Sequence, residues 1–96
     1  EGDEIAKALG DKKVAIMQNH GILTTGPSVD IALWFYMSME RCCQAQLMAE
    51  AAGKPIVISH ETAIKTREFI ANDIAAWASY QPAFDKIIKM QPDLLD

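Results

Sequence analysis

Residues 14–25 read VAIMQNHGILTT, two short apolar runs separated by a polar turn that contains Asn19-His20-Gly21. Apolar and β-branched runs of this length are typical of strands, and Asn and Gly favour tight turns. The stretch therefore predicts a hairpin or a sharply bent strand pair with His20 at its tip. A histidine held on a rigid β element is suited to bind a metal ion or a reacting carbonyl, and Asn19 and Gly21 are expected only to position it.

The first of these runs is nearly continuous in apolar character over residues 13–18, which predicts a strand covered on both faces. A helix is expected before it, over residues 3–9, because the apolar spacing there is helical and Gly10 can close the last turn. The hairpin should end at Gly26-Pro27, where the chain turns into the next element.

Helices are predicted over most of the remaining sequence. Ser28 is a natural N-cap for a long helix that continues to Ala52. Ser59 can cap another helix over residues 60–79, and a further helical segment over residues 83–90 follows a break at Gln81-Pro82. The side chains expected to face inward from the helix over residues 60–79 are Ile64, Ile70, Ile74 and Trp77.

The long helix lacks a clean polar face. Apolar side chains surround most of its circumference, and such a helix is usually buried in a larger body or at a subunit contact. The whole chain has 96 residues, half of them apolar, and a piece of this size has a marginal core unless something packs against it. Both observations predict partner surface that this sequence does not contain.

Composition excludes several classes of function. The net charge is −4 and the Lys and Arg residues are dispersed along the sequence, which argues against nucleic acid or an anionic membrane as the main partner. No apolar run is long enough to cross a bilayer, and no secretion signal is recognisable, so we expect a soluble, cytoplasmic protein. Cys42 and Cys43 are adjacent on the predicted helix and are expected to be buried, reduced thiols.

The order of strand, Asn19-His20-Gly21, strand, glycine and long helix resembles the C-terminal half of the class II aldolase and adducin head-domain family. Residues 39–47, MERCCQAQL, strengthen the resemblance, which covers about half of the chain. It implies an α/β fold, namely a three-layer α/β/α domain with a mainly antiparallel sheet. Residues 1–96 are expected to form the C-terminal portion of one such domain, with no internal boundary.

The resemblance also assigns a role to His20. In the enzymes of the family, the matching histidine is one of three imidazoles that bind a catalytic zinc or a related divalent ion. The other two belong to an upstream His-x-His element and, like the catalytic acid or base, are absent from this sequence. We therefore expect His20 to be a metal ligand in a longer protein, with no catalytic residue assigned within residues 1–96 and no activity in this fragment alone.

Two classes of function follow from the resemblance. The first is a divalent-metal-dependent aldolase-like enzyme, or an epimerase or dehydratase with the same enolate chemistry, acting on a small sugar or sugar phosphate. Such enzymes are commonly cyclic tetramers, so a homo-oligomer is expected. The alternative is a non-catalytic adducin-like head domain for self-association or contact with the actin cytoskeleton. The lack of a Lys-rich tail favours the enzyme, and an upstream His-x-His would decide between the two.

The other polar and aromatic candidates have structural explanations that are at least as good. His60 is expected to be a solvated residue in the first turn of its helix. Glu40 and Arg41 are expected to form a structural ion pair or a subunit contact. Tyr36 and Tyr80 are expected to be core or interface aromatics, because neither can be aligned with a tyrosine that acts in the family.

Overall fold

A computed structural model describes residues 2–96, and Glu1 lies outside this range. Its elements, in chain order, are helix α1 (Gly2–Leu9), strands β1 (Val14–Met17) and β2 (Gly21–Thr24), helices α2 (Val29–Ala52), α3 (His60–Ile70) and α4 (Asp73–Met90), and a final 3-10 turn (Pro92–Leu95). The first helix ends at Gly10, which has a positive φ of 55°, as its sequence predicts. No helix within residues 2–96 is long and apolar enough to cross a membrane.

The two strands form an antiparallel hairpin. Its register pairs Val14 with Thr24 at the open end and Met17 with Gly21 next to the turn. One further backbone hydrogen bond, from the Thr25 N–H to the Lys13 carbonyl at 3.0 Å, extends the pairing beyond the strands. The predicted hairpin is therefore confirmed.

The hairpin lies between helices. Alternate residues of a strand point to opposite faces, and Val14 packs on the side of α2. Ala15 and Met17 have the opposite parity and line a groove with Ile5 and Ala8 of α1. Helices α1 and α2 each contact the strands but not one another. This arrangement of helix, sheet and helix agrees with the predicted three layers.

The core is small and joins α2 to α4. Its buried side chains are Ile31 and Phe35 of α2 and Ala76 of α4, with Val14 of β1 packed against them. Ser28 caps α2 as predicted, because its hydroxyl accepts a 3.3 Å hydrogen bond from the Ile31 N–H. Three buried side chains are few for a chain of this length, so most of the apolar surface stays uncovered.

The predicted helix over residues 60–79 is wrong, since the chain breaks at Ala71 and Asn72. Asn72 is extended, with φ of −88° and ψ of 161°, and its side chain accepts a 2.9 Å hydrogen bond from the Ala75 N–H at the start of α4. Its amide also donates to the carbonyls of Glu68 and Phe69, both at 3.1 Å. One side chain thus ends α3 and begins α4, and Asn72-Asp73 was the missed sequence signal.

The predicted break at Gln81-Pro82 is also wrong, because α4 continues through Pro82. A proline removes one helical hydrogen bond, but packing of the helix elsewhere can outweigh that loss. Here Ala76 is fully buried against α2. The Gln81 amide donates to the Trp77 carbonyl at 3.0 Å and to the Asp30 carboxylate of α2 at 2.9 Å. These contacts fix the part of α4 that precedes Pro82, and beyond the proline Phe84 packs against Tyr80.

Several side chains predicted to be inside are exposed within this chain. Ile70, Ile74 and Trp77 were expected to face inward, yet they are 56%, 81% and 52% exposed. Because of the break at Asn72, α3 and α4 do not share one continuous inward-facing side. In α4 the residue that packs against α2 is Ala76. The expectation that β1 is covered on both faces is likewise not met by residues 2–96, because Ile16 is 62% exposed.

The two cysteines were predicted to be buried, and the structure corrects this. Both thiols are free, with Cys42 exposed and Cys43 half-buried. They lie in the second half of α2, beyond the part of the helix that packs on α4. No described element covers this second half, which explains why the apolar residues there remain accessible.

Candidate functional site

His20 lies at the tip of the hairpin, in the turn between β1 and β2. Its backbone N–H donates a 3.1 Å hydrogen bond to the Met17 carbonyl, which closes a four-residue turn. Asn19 occupies the third position of that turn with a positive φ of 56°, a conformation that Asn tolerates better than most residues. Gly21 follows with a φ of 148°, which L side chains rarely adopt. Asn19 and Gly21 thus determine the backbone conformation on both sides of His20.

The His20 side chain is exposed and has no local co-ligands. Residues 2–96 contain no group of three or more His, Cys, Asp or Glu side chains placed to hold a metal ion. A catalytic zinc site needs three protein ligands and an open position. An exposed imidazole at a specified turn fits the role of one ligand, provided that the other ligands come from outside the described residues.

The end of the hairpin opposite His20 is held against α2. The Thr24 hydroxyl donates a 2.8 Å hydrogen bond to the Ala32 carbonyl in the first turns of that helix. Gly26 then passes so close to α2 that a Cβ at this position would lie 2.9 Å from the Ile31 Cγ2 and 3.0 Å from the Ala32 nitrogen. Both contacts fix the hairpin, and therefore His20, relative to the long helix.

An apolar cleft of about 440 Å³ opens between β1 and the second half of α2. Its lining is almost entirely apolar or sulfur-containing: Ile16, Met39, Cys42, Cys43, Gln46 and Leu47. The cleft offers no carboxylate or imidazole that could act as an acid or base. No acid–base chemistry is therefore assigned to it.

A second concavity, of about 740 Å³, is basic and was missed by the sequence analysis. Lys12 and Lys13 reach it from the loop before β1, and Arg67 reaches it from the last turn of α3. The Lys and Arg residues are dispersed in the sequence, as noted, but three of them gather here in space. Their separation along the chain hid the cluster.

The remaining polar candidates lie outside any assembled site. His60 is the exposed first residue of α3, as expected. Glu40 and Arg41 are exposed, and the predicted ion pair between them is absent from residues 2–96. The ion pair found in that part of the chain joins Lys65 to Glu61 at 3.1 Å, on the surface of α3.

The two tyrosines show no catalytic placement. Tyr80 packs against Phe84 one turn further along α4, with ring centroids 6.4 Å apart. Tyr36 is half-exposed on α2, next to the buried Phe35. Tyr80 therefore serves packing within the chain, and Tyr36 is left at the surface.

The layered fold and the histidine-tipped hairpin define a class II aldolase-like α/β domain. The family model for the class II aldolase and adducin N-terminal domain matches residues 1–47. Part of an L-fuculose 1-phosphate aldolase from Glaciozyma antarctica PI12 is similar in structure to 97% of this chain, with a TM-score of 0.93 and 38% identity. The chain belongs to the class II aldolase family, which confirms the predicted family and fold.

Relatives with other names match over nearly the whole chain. Decarboxylase NovR from Streptomyces niveus is 38% identical over 98% of the chain. A 4-hydroxy-3-prenylphenylpyruvate oxygenase/4-hydroxy-3-prenylbenzoate synthase from Streptomyces roseochromogenus subsp. oscitans is 36% identical over the same share. The chain spans 35% and 34% of the length of these two relatives and 37% of the aldolase structure. It therefore corresponds to about a third of each.

Proposed function

We propose that the protein containing this chain is a divalent-metal-dependent lyase that cleaves a carbon–carbon bond next to a carbonyl. The observation that carries the proposal is the exposed His20 imidazole at the tip of a specified turn, in a chain of the class II aldolase family. The family is generally dependent on divalent metals. In this proposal residues 1–96 are part of a single domain, and no acid or base is assigned within them.

His20 is proposed as one ligand of zinc or another divalent ion. When bound, such an ion acts as a Lewis acid for the negative charge that develops on a carbonyl oxygen as the adjacent bond breaks. The contribution of this chain is to hold the imidazole in place. Asn19 and Gly21 specify the turn, while Thr24 and Gly26 anchor the hairpin on α2.

A small sugar or sugar phosphate is the proposed substrate. The support is the structural match to L-fuculose 1-phosphate aldolase at a TM-score of 0.93. Epimerisation or dehydration of such a substrate would use the same stabilised enolate, so these reactions are included in the proposal.

A 2-oxo acid is a second candidate substrate class. Two relatives that align with 98% of the chain are named as a decarboxylase and as an oxygenase of 4-hydroxy-3-prenylphenylpyruvate. Oxidative loss of carbon dioxide, with dioxygen as the oxidant that the name of the second relative indicates, would likewise require a metal ion that can bind the oxygen atoms of the 2-oxo acid. The hairpin with His20 is therefore compatible with either substrate class.

Metal analysis of the full-length protein tests the role of His20. We expect a stoichiometric divalent ion in the purified protein and loss of most of it in His20→Ala, because one of the three protein ligands is removed. His60→Ala is the matched control, since His60 is the other histidine of the chain and is exposed on α3. This variant should keep its ion. A metal-free protein after incubation with zinc, manganese and ferrous ions, or equal metal content in both variants, would contradict the proposal.

Turnover assays then separate the substrate classes. The metal-loaded protein is offered ketose 1-phosphates and, in parallel, arylpyruvates, with the products followed by mass spectrometry. Cleavage of the sugar phosphates supports the aldolase proposal, and release of carbon dioxide from the arylpyruvates supports the second candidate. A protein that binds no metal, turns over neither class and still self-associates would instead fit the adducin-like alternative.

We also propose that the full-length protein is a homo-oligomer, with a tetramer favoured. The support is the large exposed apolar surface on α2, where Leu47 and Met48 are 68% and 67% exposed. Light scattering on the full-length protein should give a mass that is a multiple of the monomer. A monomeric mass at all concentrations would contradict this part of the proposal.

A further inference from the structure

The basic groove described above gathers like charges with few carboxylates. Three cations, Lys12, Lys13 and Arg67, and one carboxylate, Asp11, line it, which gives a local charge of +2 in a chain whose net charge is −4. Within residues 2–96 none of these three cations is within 4.0 Å of a carboxylate oxygen, since the one ion pair found there joins Lys65 and Glu61. Like charges gathered without partners repel one another, so their placement favours an anionic ligand.

The groove is built from fixed elements. The Lys13 carbonyl accepts a hydrogen bond from the Thr25 N–H at 3.0 Å, which ties its backbone to the hairpin. The Lys13 ammonium lies 5.7 Å from the centre of the Phe35 ring, and that ring is buried in the core. Arg67 belongs to α3, which ends within the groove at Ala71. The charged groups therefore extend from two segments, the loop before β1 and helix α3, over an apolar floor that includes Phe35.

The groove and His20 lie at opposite ends of the hairpin. Lys13 precedes β1 at the open end, and His20 follows it at the turn, so the four-residue strand separates them by about 13 Å at ~3.3 Å per residue. A small substrate held at His20 would not place its phosphate in the groove. Any ligand of the groove is therefore separate from the substrate of the proposed reaction.

We propose that this groove binds a small phosphate-bearing molecule, such as a phosphomonoester or pyrophosphate. An arginine guanidinium can donate two parallel hydrogen bonds to a phosphate, and lysines add point charges around it. The local charge of +2 balances a phosphate dianion. A volume of about 740 Å³ is in the range of small-ligand pockets, which favours such a molecule over a macromolecular partner.

Titration calorimetry on the full-length protein tests this site, with pyrophosphate and inorganic phosphate as probes at low ionic strength. We expect saturable binding that weakens as salt is added. Arg67→Gln should raise the Kd for pyrophosphate by about tenfold, since it removes a charge-assisted hydrogen-bond donor. Lys65→Gln is the matched control, because it removes one positive charge from the same helix outside the groove.

The side chains altered in this test are exposed, so both variants should keep the thermal unfolding temperature of the parent. His20→Ala should retain pyrophosphate affinity, which separates this proposal from the metal proposal. Absence of saturable binding, or an equal loss in Arg67→Gln and Lys65→Gln, would overturn it. The proposal would also be overturned if the protein does not bind pyrophosphate and Arg67→Gln has a lower unfolding temperature than the parent. That result would show that an acidic segment of the protein fills the groove.

Discussion

The Thr24 hydroxyl and the Ala32 carbonyl are joined by a 2.8 Å hydrogen bond that links the end of β2 to the beginning of α2. The two residues are eight positions apart, and Gly26 lies between them against the same turn of the helix. This bond is a side-chain link between the hairpin that presents His20 and the helix that carries most of the core. The placement of the candidate metal ligand thus depends on contacts at the other end of its strands.

Thr24→Val is expected to destabilise the protein by about 1 kcal/mol, because the valine keeps the shape but cannot donate the hydrogen bond. The measurement is chemical denaturation of the full-length protein. Thr25→Val is the matched control. Thr25 is exposed and contributes its backbone N–H to the pairing with Lys13, and this group is unchanged by the substitution. Equal stability of the two variants would contradict a role for the Thr24 hydroxyl.

Gly26→Ala is expected to cost about 1–3 kcal/mol, because the added methyl group would overlap the Ile31 side chain and the Ala32 backbone nitrogen. The backbone nitrogen cannot move without disturbing the first turn of α2. A lower unfolding temperature than the parent would support this expectation. Gly53→Ala serves for comparison, since a Cβ at Gly53 meets no atom within 4 Å, and it should leave that temperature nearly unchanged.

Asn19→Val is expected to destabilise the hairpin by about 1–2 kcal/mol, because a β-branched residue is disfavoured at a φ of 56°. Asn19→Gly removes the same side chain but accepts this φ. Both variants of the full-length protein are compared by thermal unfolding and by metal content. We expect a loss on both measures in Asn19→Val alone. Similar losses in the two variants would mean that the Asn19 side chain acts directly and not through the turn.

Asn72→Ala is expected to cost about 1–2 kcal/mol, since it removes the N-cap of α4 and the donor to two carbonyls of α3. Asn72→Asp keeps the oxygen that accepts from Ala75 and loses the donated bonds, so its effect should be smaller. Hydrogen exchange at the first amides of α4 measures the change locally. Unaltered protection in Asn72→Ala would be incompatible with the proposed double role.

The sequence correctly predicted the helices and strands whose boundaries are marked by capping or turn residues close to them. The hairpin, the cap at Ser28 and the full extent of α2 all follow from residues within a few positions of each boundary. The same reasoning failed at Pro82, where packing of α4 against α2 outweighs the loss of one hydrogen bond. It also failed at Asn72, because the helical pattern over residues 60–79 outweighed the local capping signal of Asn72-Asp73.

Of the two candidate sites, one could be predicted from the sequence and the other could not. His20 is recognisable from its tripeptide between two strands, because Asn19 and Gly21, which set the conformation of its turn, are its neighbours in sequence. The basic groove is not, since Arg67 joins Lys12 and Lys13 only when α3 folds back towards the start of β1. Sites assembled from distant segments leave no local pattern in the sequence.

The scarcity of buried side chains has a thermodynamic consequence. Ile31, Phe35 and Ala76 form too small a core to hold residues 2–96 folded by themselves, because burial of apolar surface is the dominant favourable term in folding. Any molecule or segment that covers the remaining apolar surface is then linked to folding by mass action. Substitutions far from His20, in whatever surface covers α2, would lower metal occupancy by shifting this equilibrium, without touching a ligand.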